Sequence, residues 1–192
     1  MPKVIYLTGA PAAGKSSTLR RLLEVRPDIA GWEYGARLTE YVRGRGESMA
    51  SQDELRSRSA GVITPDDVDA IDQQLLAFVA SRRASQHVVI DTHAVTKEAY
   101  GFRITPFSAA DVQRLDPDEI WMLYVSAELT RRRIANDPAG RPQITLEEAQ
   151  THTALQGAVA ASYGILVGKP VYLFDGTVTP EELVARLSEH LP

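Results

Sequence analysis

The sequence has no cysteine in its 192 residues. That absence excludes a disulfide scaffold, a thiolate zinc site and a cysteine nucleophile, and it is compatible with a reducing cytoplasm. Lysine is scarce. Lys3, Lys15, Lys97 and Lys169 are the only four, and every other basic position is arginine. Aromatic residues make up 7%. No apolar run reaches membrane length, and the first, Val4 to Leu7, is too short for a signal segment. A cytoplasmic protein with no membrane partner is expected. Positive charge is in deficit, with a formal net charge of -4 and a pI near 5.6. A general nucleic-acid binder would carry a basic domain, so none is expected as partner. Repeats, low-complexity tracts and Pro/Gly/Ser-rich linkers are also missing. A chain of this length then reads as one domain, residues 1–192, with small insertions.

What is present is globular in kind, with 44% hydrophobic and 24% charged residues. Four short apolar runs, Val4–Leu7, His87–Ile90, Ile120–Val125 and Val171–Phe174, are continuous rather than alternating. That pattern predicts strands of a parallel sheet buried on both faces. Ile29–Tyr34 is a weaker fifth. Helix starts are marked between them. Ser51-Gln52-Asp53-Glu54 and Thr145-Leu146-Glu147-Glu148 fit the capping box. Thr64-Pro65-Asp66-Asp67 and Thr179-Pro180-Glu181-Glu182 place a cap, then proline, then acids in the first turn. Strand and helix alternate, which predicts an α/β fold with helices on both faces of the sheet. Residues 36–84 depart from the alternation and are expected to hold about three helices and no strand. Residues 136–144 read as a polar loop.

The strongest motif is Gly9-Ala10-Pro11-Ala12-Ala13-Gly14-Lys15-Ser16, which fits G-x-x-x-x-G-K-[ST] between a strand and a helix running to about Val25. Glycines let backbone N–H groups converge on a polyphosphate, and the helix N-terminus adds partial positive charge. Gly9 through Ser17 are therefore expected to bind ATP, with Lys15 on the β- and γ-phosphates and the Ser16 hydroxyl on Mg²⁺. Asp91 ends a predicted strand at the carboxyl edge, where ligands bind in open α/β sheets. It is the expected second metal-holding residue, acting through water; a strand-end aspartate capping the next turn is the plainer alternative. His93 has no second histidine at ligand spacing and is assigned no metal.

Three stretches together resemble the archaeal-type adenylate kinases: Thr8 to Lys15, Val89-Ile90-Asp91-Thr92-His93, and Tyr163-Gly164-Ile165-Leu166-Val167-Gly168. The resemblance spans nearly the whole chain in order. It implies a nucleoside monophosphate kinase fold: a five-stranded parallel sheet in a three-layer P-loop NTPase arrangement, an acceptor-binding helical insert at about 36–84 and a short lid at about 131–145. It implies phosphate transfer between ATP and AMP with Mg²⁺, and some relatives are trimers; a monomer or small homo-oligomer is the expectation here. Arg56 matches the arginine that holds the acceptor phosphate, with Arg58 as the alternative. Thr130-Arg131-Arg132-Arg133 and Arg141 fall in the lid region. Arginines there would neutralise charge spread over a transferred phosphoryl group, so Arg132, Arg133 and Arg141 are candidate catalytic residues beside Lys15 and Asp91. A triple arginine cannot point one way on a helix, so one or two are expected inward. The loop from Asn136 to Ile144 is expected to close over ATP.

The chain also departs from the family. The lid reads Gly140-Arg141-Pro142 where two arginines around one residue are common. The following helix has Gln156-Gly157 where an asparagine–arginine pair is usual. Arg103, in Gly101-Phe102-Arg103, is similar to an element that binds the acceptor phosphate in other adenylate kinases and is a candidate to substitute. The leading expectation is ATP-dependent transfer to a nucleoside monophosphate, AMP first. A small-molecule or nucleoside kinase with another acceptor, and an ATPase switch or assembly factor, are the alternatives.

Overall fold

The computed structural model describes residues 1–45, 63–137 and 142–191. Along the chain the described elements are β1 (Val4–Gly9), α1 (Lys15–Val25), β2 (Ile29–Glu33), α2 (Tyr34–Gly44), α3 (Pro65–Arg82), β3 (His87–Asp91), β4 (Val95–Glu98), β5 (Gly101–Ile104), α4 (Ala109–Leu115), β6 (Glu119–Tyr124), α5 (Ala127–Ala135), α6 (Leu146–Val167), β7 (Val171–Asp175) and α7 (Pro180–Glu189). Five strands form a parallel sheet in the order β2-β3-β1-β6-β7. The three-layer α/β fold expected from the sequence is therefore present.

Pleating divides the apolar runs between two cores. Val4, Tyr6, Val88, Ile90 and Ile120 face α3, α4 and α6 through Ile71, Leu75, Val112 and Tyr163. Ile5, Leu7, Val89, Trp121 and Leu123 face α1 and α7 through Leu19, Leu22, Leu183 and Leu187. Strands clothed on both faces have no polar side to show, which is why β1, β3 and β6 read as unbroken hydrophobic runs. β7 departs from that expectation. It is the sheet edge, and Tyr172 and Leu173 are 36% and 61% exposed.

Helix starts follow their caps. Thr145 accepts from the Glu148 N–H while Glu148 bonds back to the Thr145 N–H, a complete capping box. Thr64 does the same with Asp67 and is followed by Pro65; Thr179 accepts from the Glu182 N–H and precedes Pro180. The box at Ser51 lies outside the described residues, as do Arg56 and Arg58. Within 36–84 the described helices are α2 and α3. An antiparallel hairpin, β4 with β5, was not expected from the sequence. Its four-residue strands are half-buried and carry Thr96, Lys97, Glu98 and Arg103, so no apolar run marks them. Among the described residues no helix is long and apolar enough to cross a membrane.

Candidate active site

β1 lies between β3 and β6, so the crevice at its carboxyl end opens where the strand order reverses. The segment that leaves β1 there is the glycine-rich loop. Gly9 has φ +149°, and a Cβ at this position would collide with the Leu123 carbonyl on β6. Ala12 takes φ +60° and Gly14, the N-cap of α1, φ +95°. These left-handed turns fold the loop back on itself. Lys15 Nζ donates to the Gly9 carbonyl at 2.7 Å, which places the ammonium in the mouth of the loop. Ser17 Oγ donates to the Gly14 carbonyl at 2.8 Å, so its hydroxyl points back along the helix and its backbone N–H is what it can offer an anion.

The next two side chains meet across strands. Ser16 Oγ donates to Asp91 Oδ2 at 2.7 Å. Leu7 on β1 pairs with Asp91 on β3, and Glu33 on β2 pairs with it from the other side. A hydroxyl and a carboxylate in contact are hard oxygen ligands of the kind Mg²⁺ takes. Ser16 and Asp91 therefore fit the metal expected of them. Among the described residues no group of three or more His, Asp or Glu side chains could hold a metal by itself.

Glu33 is a site residue that sequence reasoning missed. Burial, then the neighbouring Asp91 charge, raise its pKa. The rule that drew attention to Asp91, a carboxylate at a strand's carboxyl end, applies equally to Glu33. The same rule would have found Asp175-Gly176 after β7. A Cβ on Gly176 would sit 2.9 Å from the Ala13 carbonyl, so only glycine lets this turn pass so close to the loop. Arg133 joins the two segments. Its guanidinium donates to the Ala12 carbonyl at 2.9 Å and the Gly176 carbonyl at 3.1 Å. Arg131 and Arg132 are exposed on α5, so one of the three arginines turns inward. Arg141, Gly140 and Pro138 lie outside the described residues. Gln156 is fully buried. It accepts from the Thr8 hydroxyl at 3.3 Å and donates to the Val95 carbonyl, tying α6 to the base of the loop.

Beside this crevice is a cavity of about 400 Å³. Aromatic side chains wall it: Tyr6 meets Phe107 and Tyr163 edge-on at 6.3 and 5.2 Å, and Tyr34 meets Phe107 at 5.8 Å. The Tyr163 hydroxyl accepts from the Phe107 N–H at 2.7 Å. Arg103 lines the cavity from β5 and pairs with Glu98 at 3.0 Å. The structure thus brings Lys15, Ser16, Asp91 and Arg133 to one crevice and Arg103 to the cavity beside it.

Asp72 lies in the cavity wall and accepts from the Tyr34 hydroxyl at 2.7 Å. Burial pushes its pKa up to about 6 from an ordinary 3.8, against the lowering effect of the Tyr34 bond. A carboxyl that holds its proton more tightly when folded contributes stability below pH 4, and that contribution is lost as pH rises through 6. With screening by cavity water, the loss is about 1–2 kcal/mol. Asp72→Asn removes this dependence. Thermal unfolding of the variant is expected a few degrees above wild type at pH 8 and no higher than wild type at pH 4. Parallel melting curves across that range would exclude the effect.

A phosphate loop opening at the central strand, with a hydroxyl–carboxylate pair at the end of the next strand, defines a P-loop kinase fold. Known proteins agree. A family model described as an AAA domain matches residues 8–150, and the chain belongs to this family. It is 24% identical over 170 residues to an adenylate kinase of Methanothermobacter thermautotrophicus, covering 88% of each chain. It is 27% identical to adenylate kinases of Thermococcus onnurineus and Pyrococcus furiosus, each match covering 86% of this chain and 82% of the relative. The crystal structure of a sugar kinase from Janibacter sp. HTCC2649 shares the fold, with a TM-score of 0.58 at 14% identity over 98% of this chain and 94% of that one.

Proposed function

We propose that this P-loop kinase transfers the γ-phosphoryl group of ATP to a nucleoside monophosphate, with AMP as the acceptor. The observation that carries the reading is an aromatic-walled cavity, holding Arg103, beside the crevice of Lys15, Ser16 and Asp91. A planar base fits such walls, and the adenylate kinases at 24–27% identity support AMP in particular. An oxygen of the acceptor's phosphate attacks the γ-phosphorus, the bond to the β-phosphate oxygen breaks, and two diphosphates leave. The attacking oxygen of a phosphate dianion has no proton to give up, so the protein's task is alignment and charge neutralisation. Backbone N–H groups of Gly9 to Ser17 and the Lys15 ammonium would hold the β- and γ-phosphates. Mg²⁺, held by Ser16 and Asp91, would supply further positive charge there. Arg133, with Arg132 and Arg141 from the lid region, would meet the charge on the equatorial oxygens. Arg103 and Arg56 would hold the acceptor phosphate.

A hydroxyl-bearing acceptor is the second reading, and Glu33 favours it. Its carboxylate faces Asp91 at the crevice and has a raised pKa, which suits taking a proton from an attacking alcohol. A coupled assay of ADP release with AMP, CMP, UMP, GMP and dTMP, and with the corresponding nucleosides, separates the two. Transfer to a monophosphate is expected. Arg103→Ala is expected to raise the acceptor KM about ten- to hundred-fold while leaving the KM for ATP nearly unchanged, the value of one charge-assisted bond. ATP hydrolysis without transfer to any monophosphate would defeat the reading.

A further inference from the structure

Transfer between phosphates leaves one feature of the cavity unexplained. Binding a phosphate calls for cations, yet Asp72 places a carboxylate in the wall at 7% exposure, where burying a charge is costly. Its position is informative. Arg103, Thr92 and His93 border the cavity on the side of the β3 end and the phosphate loop. Asp72 and Phe107 also border a smaller void against Leu75, Leu76 and Leu115. Asp72 is therefore at the inner end, where the cavity backs onto the packing of α3 and α4. A cation and an anion thus line one aromatic-walled space.

We infer that Asp72 reads an exocyclic amino group on the acceptor's base, so that adenine and cytosine are taken over hypoxanthine and uracil. The inference rests on the monophosphate reading above. A carboxylate oxygen only accepts hydrogen bonds. An amino group meets it with a donor. A ring carbonyl meets it with lone pairs and leaves two acceptors desolvated against each other. Tyr34 sharpens this polarity. Its hydroxyl donates to Asp72 Oδ1, which fixes the carboxylate and spends the Tyr34 hydrogen that could have served a carbonyl. Among the described residues this is the side-chain bond that Asp72 makes, so Oδ2 is left for a ligand. Asp69, three residues earlier on the same helix, also lines the cavity and adds a second acceptor. With its pKa pushed up to about 6, Asp72 is largely ionised at pH 8.

The test compares pairs that differ at that group, AMP with IMP and CMP with UMP, at pH 8 in the wild-type chain and in Asp72→Asn. The wild type is expected to favour the amino member by about ten- to hundred-fold in kcat/KM. Asn keeps an oxygen for Tyr34 and adds an N–H₂ donor, so the variant is expected to lower both ratios at least tenfold. Calorimetric binding of AMP and IMP reads the same ratio without turnover. Equal ratios in wild type and variant, with both active on AMP, overturn the assignment and leave monophosphate transfer standing. If the variant does not fold, the wild type decides alone: AMP and IMP used equally overturn the assignment. A wild type that hydrolyses ATP yet neither binds nor phosphorylates any monophosphate overturns the acceptor reading and the assignment with it.

Discussion

Lys15→Ala is expected to lower phosphoryl transfer by about 10²–10³-fold, the usual cost of removing one preorganised charge from a site where negative charge develops. Lys15 Nζ is held in the loop mouth by the Gly9 carbonyl at 2.7 Å. Among the described residues, Lys3 and Lys97 are engaged elsewhere. Lys3 pairs with Glu119 at the opposite end of the sheet, and Lys97 pairs with Glu148. Arg133 is near, but it approaches from α5 against the Ala12 and Gly176 carbonyls and not from the mouth of the loop. The substitution removes no core side chain, so the melting temperature is expected to stay within a few degrees of wild type. Calorimetry with ATP and Mg²⁺ checks the binding part, and the coupled assay checks turnover. Equal ATP affinity and equal rates for the two proteins would remove Lys15 from the site.

Asp91→Asn is expected to reduce kcat roughly 10²-fold while changing ATP affinity by no more than about threefold. The carboxylate is buried and accepts from Ser16 Oγ at 2.7 Å. Asparagine keeps one oxygen for that bond but removes the negative charge that would hold a divalent cation. The loss should therefore depend on Mg²⁺, with the half-saturating concentration rising about tenfold or more. A variant with full activity at low Mg²⁺ would make Asp91 a structural cap of the β3 end. The two substitutions are expected to differ in kind: Lys15 acts on the phosphates themselves, so both affinity and rate suffer.

The phosphate loop, the parallel sheet and the Asp91 strand end were legible in the sequence because each depends on local rules. Loop chemistry confines glycine and lysine to fixed spacing. Burial on both faces turns β1, β3 and β6 into unbroken apolar runs. Caps such as Thr145 with Glu148 act within four residues. The hairpin of β4 and β5 escaped notice because strands of four half-buried residues carry no periodicity that separates them from a loop. The exposed edge of β7 escaped it too, because a run of apolar residues does not say where in the sheet its strand lies.

Charge pattern alone left the arginines undecided, and tertiary structure separated them. Arg131, Arg132 and Arg133 are equivalent in sequence, but the helical rotation of α5 gives Arg133 the loop and Gly176 while Arg131 and Arg132 are exposed. The meetings of Ser16 with Asp91, Glu33 with Asp91, and Tyr34 with Asp72 join residues 38 to 75 positions apart in two cases and 58 apart in the third. No local rule encodes such distances. By itself the sequence determined that a glycine-rich loop of phosphate-binding type leaves the end of a parallel strand, because backbone geometry and the helix N-terminus act over a few residues. Which carboxylates face the crevice, and which one lies at the inner end of the cavity beside it, was decided only when the sheet brought distant strand ends side by side and packed α3 against them.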